Sequence, residues 1–208
     1  MAGKIKKLMP RVVFQRLSNL YTRMEDAYRV TAEQTGFTCM DCPDNCCSSF
    51  FRHHTRVEWA YFIKGLDQAP QPQRQRIFDR AEDYMAQART ALAQGRTPEI
   101  MCPVNENGLC TLYSYRLMIC RLHGVPTFHS RPDGRILEFP GCFRSQEKTA
   151  GMKDYPKLDR TGFYQELAAL EQAFTGPRIA RLPRVNLTLA EMIVHGSPEF
   201  SGQQTGFF

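Results

Sequence analysis

The sequence predicts an α+β fold, predominantly α, in which helices surround an irregular, cysteine-rich metal core carrying two small β-hairpins. Three observations predict it. Apolar residues recur at three- and four-residue steps over long segments toward both ends of the 208-residue chain. The middle is instead rich in turns, with Asn107-Gly108 and Asp133-Gly134 each set between short apolar runs. All eight cysteines fall between residues 39 and 142.

Taken in order, Val13, Leu17, Leu20, Met24, Tyr28 and Thr31 make one apolar stripe after Pro10, so residues 11–34 read as a long amphipathic helix ending at Gly36. Thr55 followed by Glu58 has the spacing of a capping box and predicts a short helix over 57–64, with Trp59, Phe62 and Ile63 available for the core. Pro70 and Pro72 break the chain. Ile77, Ala81, Tyr84, Met85, Ala88 and Leu92 then stripe a further helix that stops at Gly95 and Pro98.

The Asn107-Gly108 signal predicts a hairpin between Cys102 and Tyr113, and Asp133-Gly134 a second between Phe128 and Phe139. Ser114 is placed to cap a helix over 115–123, ended by Gly124 and Pro126. Phe163, Leu167, Leu170 and Phe174 share one helical face, and Thr188 with Glu191 makes a second capping box before a short terminal helix. Residues 196–208, rich in Gly, Ser and Gln, read as a loose tail. The domain division expected from this order is an N-terminal helix over 1–36, a cysteine-cluster domain over 37–145 and a helical extension with its tail over 146–208.

Composition excludes several classes. With 42% hydrophobic and 23% charged residues, the chain has the balance of a globular protein and not of a disordered polymer. No stretch approaches the roughly 18 apolar residues of a membrane span. The N-terminus is positive at Lys4, Lys6, Lys7 and Arg11, but no apolar run follows before Arg16, so we expect a cytoplasmic protein without a secretory signal. The net charge of +6 does not point to nucleic acid, because Lys and Arg alternate with acids along most helices and only the first eleven residues form a positive run.

The cysteines carry the chemistry. Four lie in residues 39–47 and four in residues 102–142, with none in the 54 residues between. Clustering of this kind in a chain expected in a reducing compartment points to metal and away from disulfides. Cys39-x2-Cys42 is knuckle spacing, in which a tight turn aims two sulfurs at one ion, and Pro43, Asp44 and Asn45 continue the turn. Adjacent side chains in extended backbone point opposite ways, so Cys46 and Cys47 are expected to serve different ions, or one of them none, which argues for more than one site.

A two-residue turn at Asn107-Gly108 would set Cys102 and Cys110 on opposite faces, where they could not share an ion without distortion. A three-residue turn that includes Glu106 would put both on one face, and we expect that one. Arg116, four residues before Cys120 on the expected helix, would cover the same face as its thiol. His53, His54 and His123 lie near the clusters, but surface or capping roles are the simpler expectation. Tyr113, Tyr115 and Trp59 are expected to pack.

The series Cys39-x2-Cys42-x3-Cys46-Cys47, then Cys102-Pro103 to Cys110-Thr111-Leu112-Tyr113, then Arg116-x3-Cys120-Arg121, resembles the bacterial cysteine-cluster family described as zinc- or iron-chelating and named for its CxxCxxCC motif. The resemblance covers roughly residues 37–145. This chain has one more residue before the Cys46-Cys47 pair, and Leu117 stands where the family often has Pro. The resemblance implies that Cys39, Cys42, Cys46, Cys47, Cys102, Cys110, Cys120 and Cys142 belong to one metal-binding unit holding an iron–sulfur cluster or zinc.

Arg116 and Arg121 are the expected charge-compensating or anion-binding residues. Flagellin lysine-N-methylases look similar through the same cluster, which implies a metalloenzyme acting on a protein substrate as one function. The alternative is a non-enzymatic binding or maturation module with structural zinc. Radical SAM chemistry is not indicated: its Cys-x3-Cys-x2-Cys order is the reverse of the order here, and no alternating strand–helix series is present.

Overall fold

The computed structural model describes residues 7–40, 42 and 46–199. Seven α-helices and two small sheets among these residues make the fold α+β and predominantly α, as the periodicity predicts. The turn formers Pro43, Asp44 and Asn45, most of the N-terminal basic run and most of the C-terminal tail lie outside the described residues.

The first helix, α1 (Pro10–Thr35), buries Val13, Leu17, Leu20, Met24 and Thr31, the stripe read from sequence. It ends where expected. Gly36 turns left-handed at φ 64°, and the Gly36 and Phe37 amides return to the carbonyls of Glu33 and Ala32, satisfying the last turn. Contacts divide the chain into two compact units that do not follow the 36/37 and 145/146 boundaries expected from sequence order. One unit takes the described residues up to Phe14, from Cys46 to Leu117 and from Glu171 onward. The other takes those from Gln15 to Cys42 and from Met118 to Leu170.

The first unit is built on α2 (Arg56–Gln68), α3 (Gln71–Ala93) and α7 (Leu189–His195). Trp59, Phe62, Ile77, Ala81, Tyr84, Ala88, Met192 and Ile193 form its core, and Trp59 donates from Nε1 to the Met192 carbonyl at 3.2 Å. The α7 capping box forms in both directions. The one expected at α2 does not: the Thr55 hydroxyl donates to the Glu58 carboxylate at 2.8 Å but accepts from no helix amide, and the Val57 amide donates instead to the Glu171 carboxylate at 2.8 Å. Helix α2 also runs past residue 64 to Gln68, because Pro70 first interrupts it there. Leu92 is 37% exposed, and Ala91 takes the buried position at the end of the α3 stripe.

Two short strands, β1 (Asn105–Glu106) and β2 (Leu109–Cys110), pair antiparallel with Asn105 opposite Cys110. The turn is therefore the two-residue one, not the three-residue turn expected above; it does not set Cys102 opposite to Cys110, because β1 begins only at Asn105 and Cys102 lies before it, in a turn closed by the Asn105 amide on the Cys102 carbonyl. Asn107 and Gly108 both take positive φ, 53° and 84°, and the Gly108 amide donates to the Asn105 Oδ1 at 3.1 Å, which fixes the register. The helix expected over 115–123 is also corrected. Residues 113–115 form a single 3-10 turn, with Ser114 inside it and not at a cap, and Arg116 is extended at ψ 138°. Packing overrides propensity here: the Tyr115 ring lies flat on Gly65, 4.9 Å from the Tyr61 ring, and its hydroxyl donates to Gln68 at 2.5 Å.

The second unit holds most of α1, α4 (Met118–Leu122), α5 (Phe143–Thr149) and most of α6 (Thr161–Thr175). The expected hairpin pairs β3 (Thr127–Ser130) with β4 (Ile136–Phe139) around the Asp133-Gly134 turn. A third strand, β5 (Leu158–Asp159), joins β3 in parallel and was not foreseen, being only two residues long. On α6, Leu167, Leu170 and Phe174 are buried as expected. No described helix is long and apolar enough to cross a membrane.

Candidate functional site

All eight cysteines are free of disulfides, and none is fully buried. In the first unit Cys46 and Cys47 begin a 3-10 turn over residues 46–48. Successive side chains there step by about 120° instead of the 180° of a strand, and the two thiols hydrogen-bond to each other. The expectation that they point opposite ways fails for that reason. The Cys102 amide donates to the Cys47 carbonyl at 2.9 Å, which brings the second sequence cluster to the first. Cys102 and Cys110 pack on the edge of the core.

Asn105 is the hub of this group. Its amide donates to the Cys102 carbonyl at 2.9 Å, its Cα stands opposite that of Cys110, and its side chain acts on Cys47. Its Oδ1 is used within the turn, while the buried Nδ2 lacks a hydrogen-bond partner of ordinary geometry. The Cys47 thiol is pulled down to about 6, first by the hydrogen bond from Cys46 and then by Asn105 and the charge of Arg116, against the cost of burial. Arg116 lies over the Tyr113 ring at 4.9 Å. It is outside α4, so the four-residue helical spacing that was to set it beside Cys120 does not exist. Sequence reasoning gave Asn105 no role; a hairpin residue opposite a cysteine was the available signal.

In the second unit Cys39 and Cys42 lie in the loop after α1, Cys120 lies on α4, and Cys142 caps α5. The loop is tied to α5 by Arg144, which donates from Nη1 to the Met40 carbonyl at 2.9 Å. The Cys142 amide donates to the Gly124 carbonyl at 2.9 Å. Tyr28 completes the link, with its hydroxyl 3.5 Å from the Cys39 Sγ and close against Gly124. Arg121 is buried, ion-paired with Glu25 and stacked over the Tyr21 ring at 4.2 Å. It thus braces α4 on α1.

His53 is a core residue and not the surface or capping one expected, since its backbone bridges to Leu187 in both directions and burial pulls its ring down to about 3. His54 is exposed and its Nδ1 lies 3.2 Å from the Val185 carbonyl. His123 stacks near Phe139. Arg52 donates to the Asn186 carbonyl at 2.7 Å. Tyr115 and Trp59 pack as expected, while Tyr113 is 55% exposed.

An iron–sulfur cluster or zinc is what the cysteine pattern implies. The donor chemistry fits such a soft ion: thiols, one of them acidified, with a buried amide donor beside it suited to a thiolate. Among the described residues, no three His, Cys, Asp or Glu side chains already converge as an ion-holding group. A cleft of about 750 Å³ at the end of α3, lined by Gln87, Thr90, Ala91, Arg96, Thr97, Glu99 and Ile100, contains no cysteine. No protein-family model matches the chain, and no curated protein or solved structure shows a significant similarity to it.

Proposed function

We propose that this is a metal-binding cysteine-cluster protein, holding zinc or an iron–sulfur cluster through Cys39, Cys42, Cys46, Cys47, Cys102, Cys110, Cys120 and Cys142. The observation that carries the reading is the bringing together of unbridged cysteines from two distant stretches of sequence by hydrogen bonds, from the Cys102 amide to the Cys47 carbonyl in one unit and from the Arg144 side chain, near Cys142, to the Met40 carbonyl in the other. Thiolates in such numbers repel one another unless a cation neutralises them. Bound zinc would supply a cross-link or a Lewis acid, and an iron–sulfur cluster an electron-transfer centre.

Within this reading Asn105 and Arg116 stabilise ionised sulfur in the first unit, and Arg121 holds the helix that carries Cys120. Free clustered cysteines suit a reducing compartment, so the proposed location is the cytoplasm. A role toward a protein, as substrate or partner, is the proposed biological setting. A structural metal is the version the ligands support first, since thiols are the donors in view. The test is anaerobic purification with metal analysis and an absorption spectrum. Zinc, or iron with sulfide and a charge-transfer band, is expected. A chain that retains neither, and takes up neither on anaerobic reconstitution, overturns the proposal.

A further inference from the structure

We propose that the eight cysteines form two separate four-sulfur sites, one in each compact unit: Cys46, Cys47, Cys102 and Cys110 in the first, and Cys39, Cys42, Cys120 and Cys142 in the second. This rests on the metal-binding reading above and deepens it by assigning the ligands. The boundary between the units falls inside the motif, between Cys42 and Cys46, and again between Cys110 and Cys120. Eight cysteines are thus divided four and four.

Each set is tied together by its own contacts. In the first, Asn105 links the other members, through its amide to Cys102, its side chain to Cys47 and its strand register to Cys110. Cys46 bonds to Cys47 in the same turn. Asn105 is 7% exposed, and its buried Nδ2 is a donor turned into that group beside Cys47. In the second set, Arg144 joins the Cys39–Cys42 loop to the helix capped by Cys142, and Gly124 meets both the Cys142 amide and the Tyr28 hydroxyl that lies on Cys39. Cys120 is on α4, four residues before Gly124.

Four thiolates complete the coordination of one tetrahedral zinc or of one [4Fe–4S] cluster. Two such sets leave no cysteine over. The Cys46-Cys47 pair, divided between ions if its backbone were extended, serves one site in this assignment because in the 3-10 turn the two thiols come within hydrogen-bond reach of each other.

The test uses the full chain, reduced, stripped with a chelator and loaded with ¹¹³Cd²⁺ alone. Two cadmium resonances are expected, and proton–cadmium correlation should connect each to the β-protons of four cysteines, grouped as above. A cysteine of one set coupled to the cadmium of the other, or one shared multinuclear cluster coupled to all eight, overturns the assignment while leaving metal binding intact. Failure to bind cadmium at all overturns both this assignment and the reading it rests on. Changing Cys46, Cys47, Cys102 and Cys110 together to Ser should halve the bound cadmium and keep the second resonance; full retention or complete loss in a folded variant would contradict it. If that variant does not fold, the correlations in the unaltered chain still decide.

Discussion

Gly124 illustrates how a single residue couples the backbone to the cysteines. At φ 120° it occupies a region that L side chains rarely adopt, and a Cβ there would lie 2.5 Å from the Tyr28 hydroxyl. Gly124→Ala is therefore expected to destabilise the chain by about 2–4 kcal/mol, combining overpacking with backbone strain. Denaturant melts would check this, and an unchanged midpoint would mean that Tyr28 does not hold the position described. His53 makes a different claim. Burial, and then the neighbouring His54, lower its ring to about 3 from an ordinary 6.5, so the folded chain holds it neutral where the unfolded chain binds a proton. The sign follows: the contribution to stability is full above about 6.5 and is lost as pH falls toward 3. In urea melts across that window, His53→Gln should show a shallower loss of stability with acid than the parent. Equal slopes would show that His53 is solvated. Neither residue's part was legible in the sequence, because a lone glycine after a helix and a histidine near cysteines each fit several environments until a neighbour from a distant segment is known.

At the scale of elements, α1 and α7 were readable because their signals are local: a stripe at helical spacing with a glycine stop, and a capping box whose two residues see only each other. The segment over 113–123 was not, because the contact of Tyr115 with Gly65 joins residues fifty apart and extends the chain at Arg116. Even a local signal fails when a distant acceptor competes, as at the start of α2, where the Val57 amide donates to the Glu171 carboxylate and the Thr55 side chain caps no amide. The hairpin at Asn107-Gly108 offers a discriminating experiment. In the observed two-residue turn Asn107 itself is left-handed, so Asn107→Val should cost about 1–2 kcal/mol and Asn107→Gly almost nothing. A three-residue turn would leave Asn107 right-handed and make the valine cheap. Comparable stability of the two variants would therefore restore the three-residue register and detach Asn105 from Cys110.

For the whole molecule, the fold class was legible and the division of the cysteines between the two units was not. Helical periodicity and turn dipeptides are short-range properties, so they survive without knowledge of topology. The division of Cys39 and Cys42 from Cys46 and Cys47 depends on which distant segments each pair meets, and a continuous motif conceals it. The same arrangement predicts how stability responds to metal. The cysteine backbones are brought near one another within each unit, but among the described residues no three ligating side chains converge, so on the proposed metal-binding reading part of the free energy of ligation would go into ordering them, and the folded chain should bind an ion far more tightly than the unfolded one. Linkage then requires that zinc raise the melting temperature progressively with free concentration: about 2.7 kcal/mol at a hundredfold excess over the dissociation constant of one site, and about 4 kcal/mol at a thousandfold. The measurement is thermal melting of the reduced chain in zinc buffers at constant pH, because thiol deprotonation contributes to the apparent affinity. Chelation should return the chain to the metal-free melting temperature. Zinc that binds in stoichiometric amount without moving the transition would show equal ligation by the unfolded chain, and the gathered backbones would then confer no advantage.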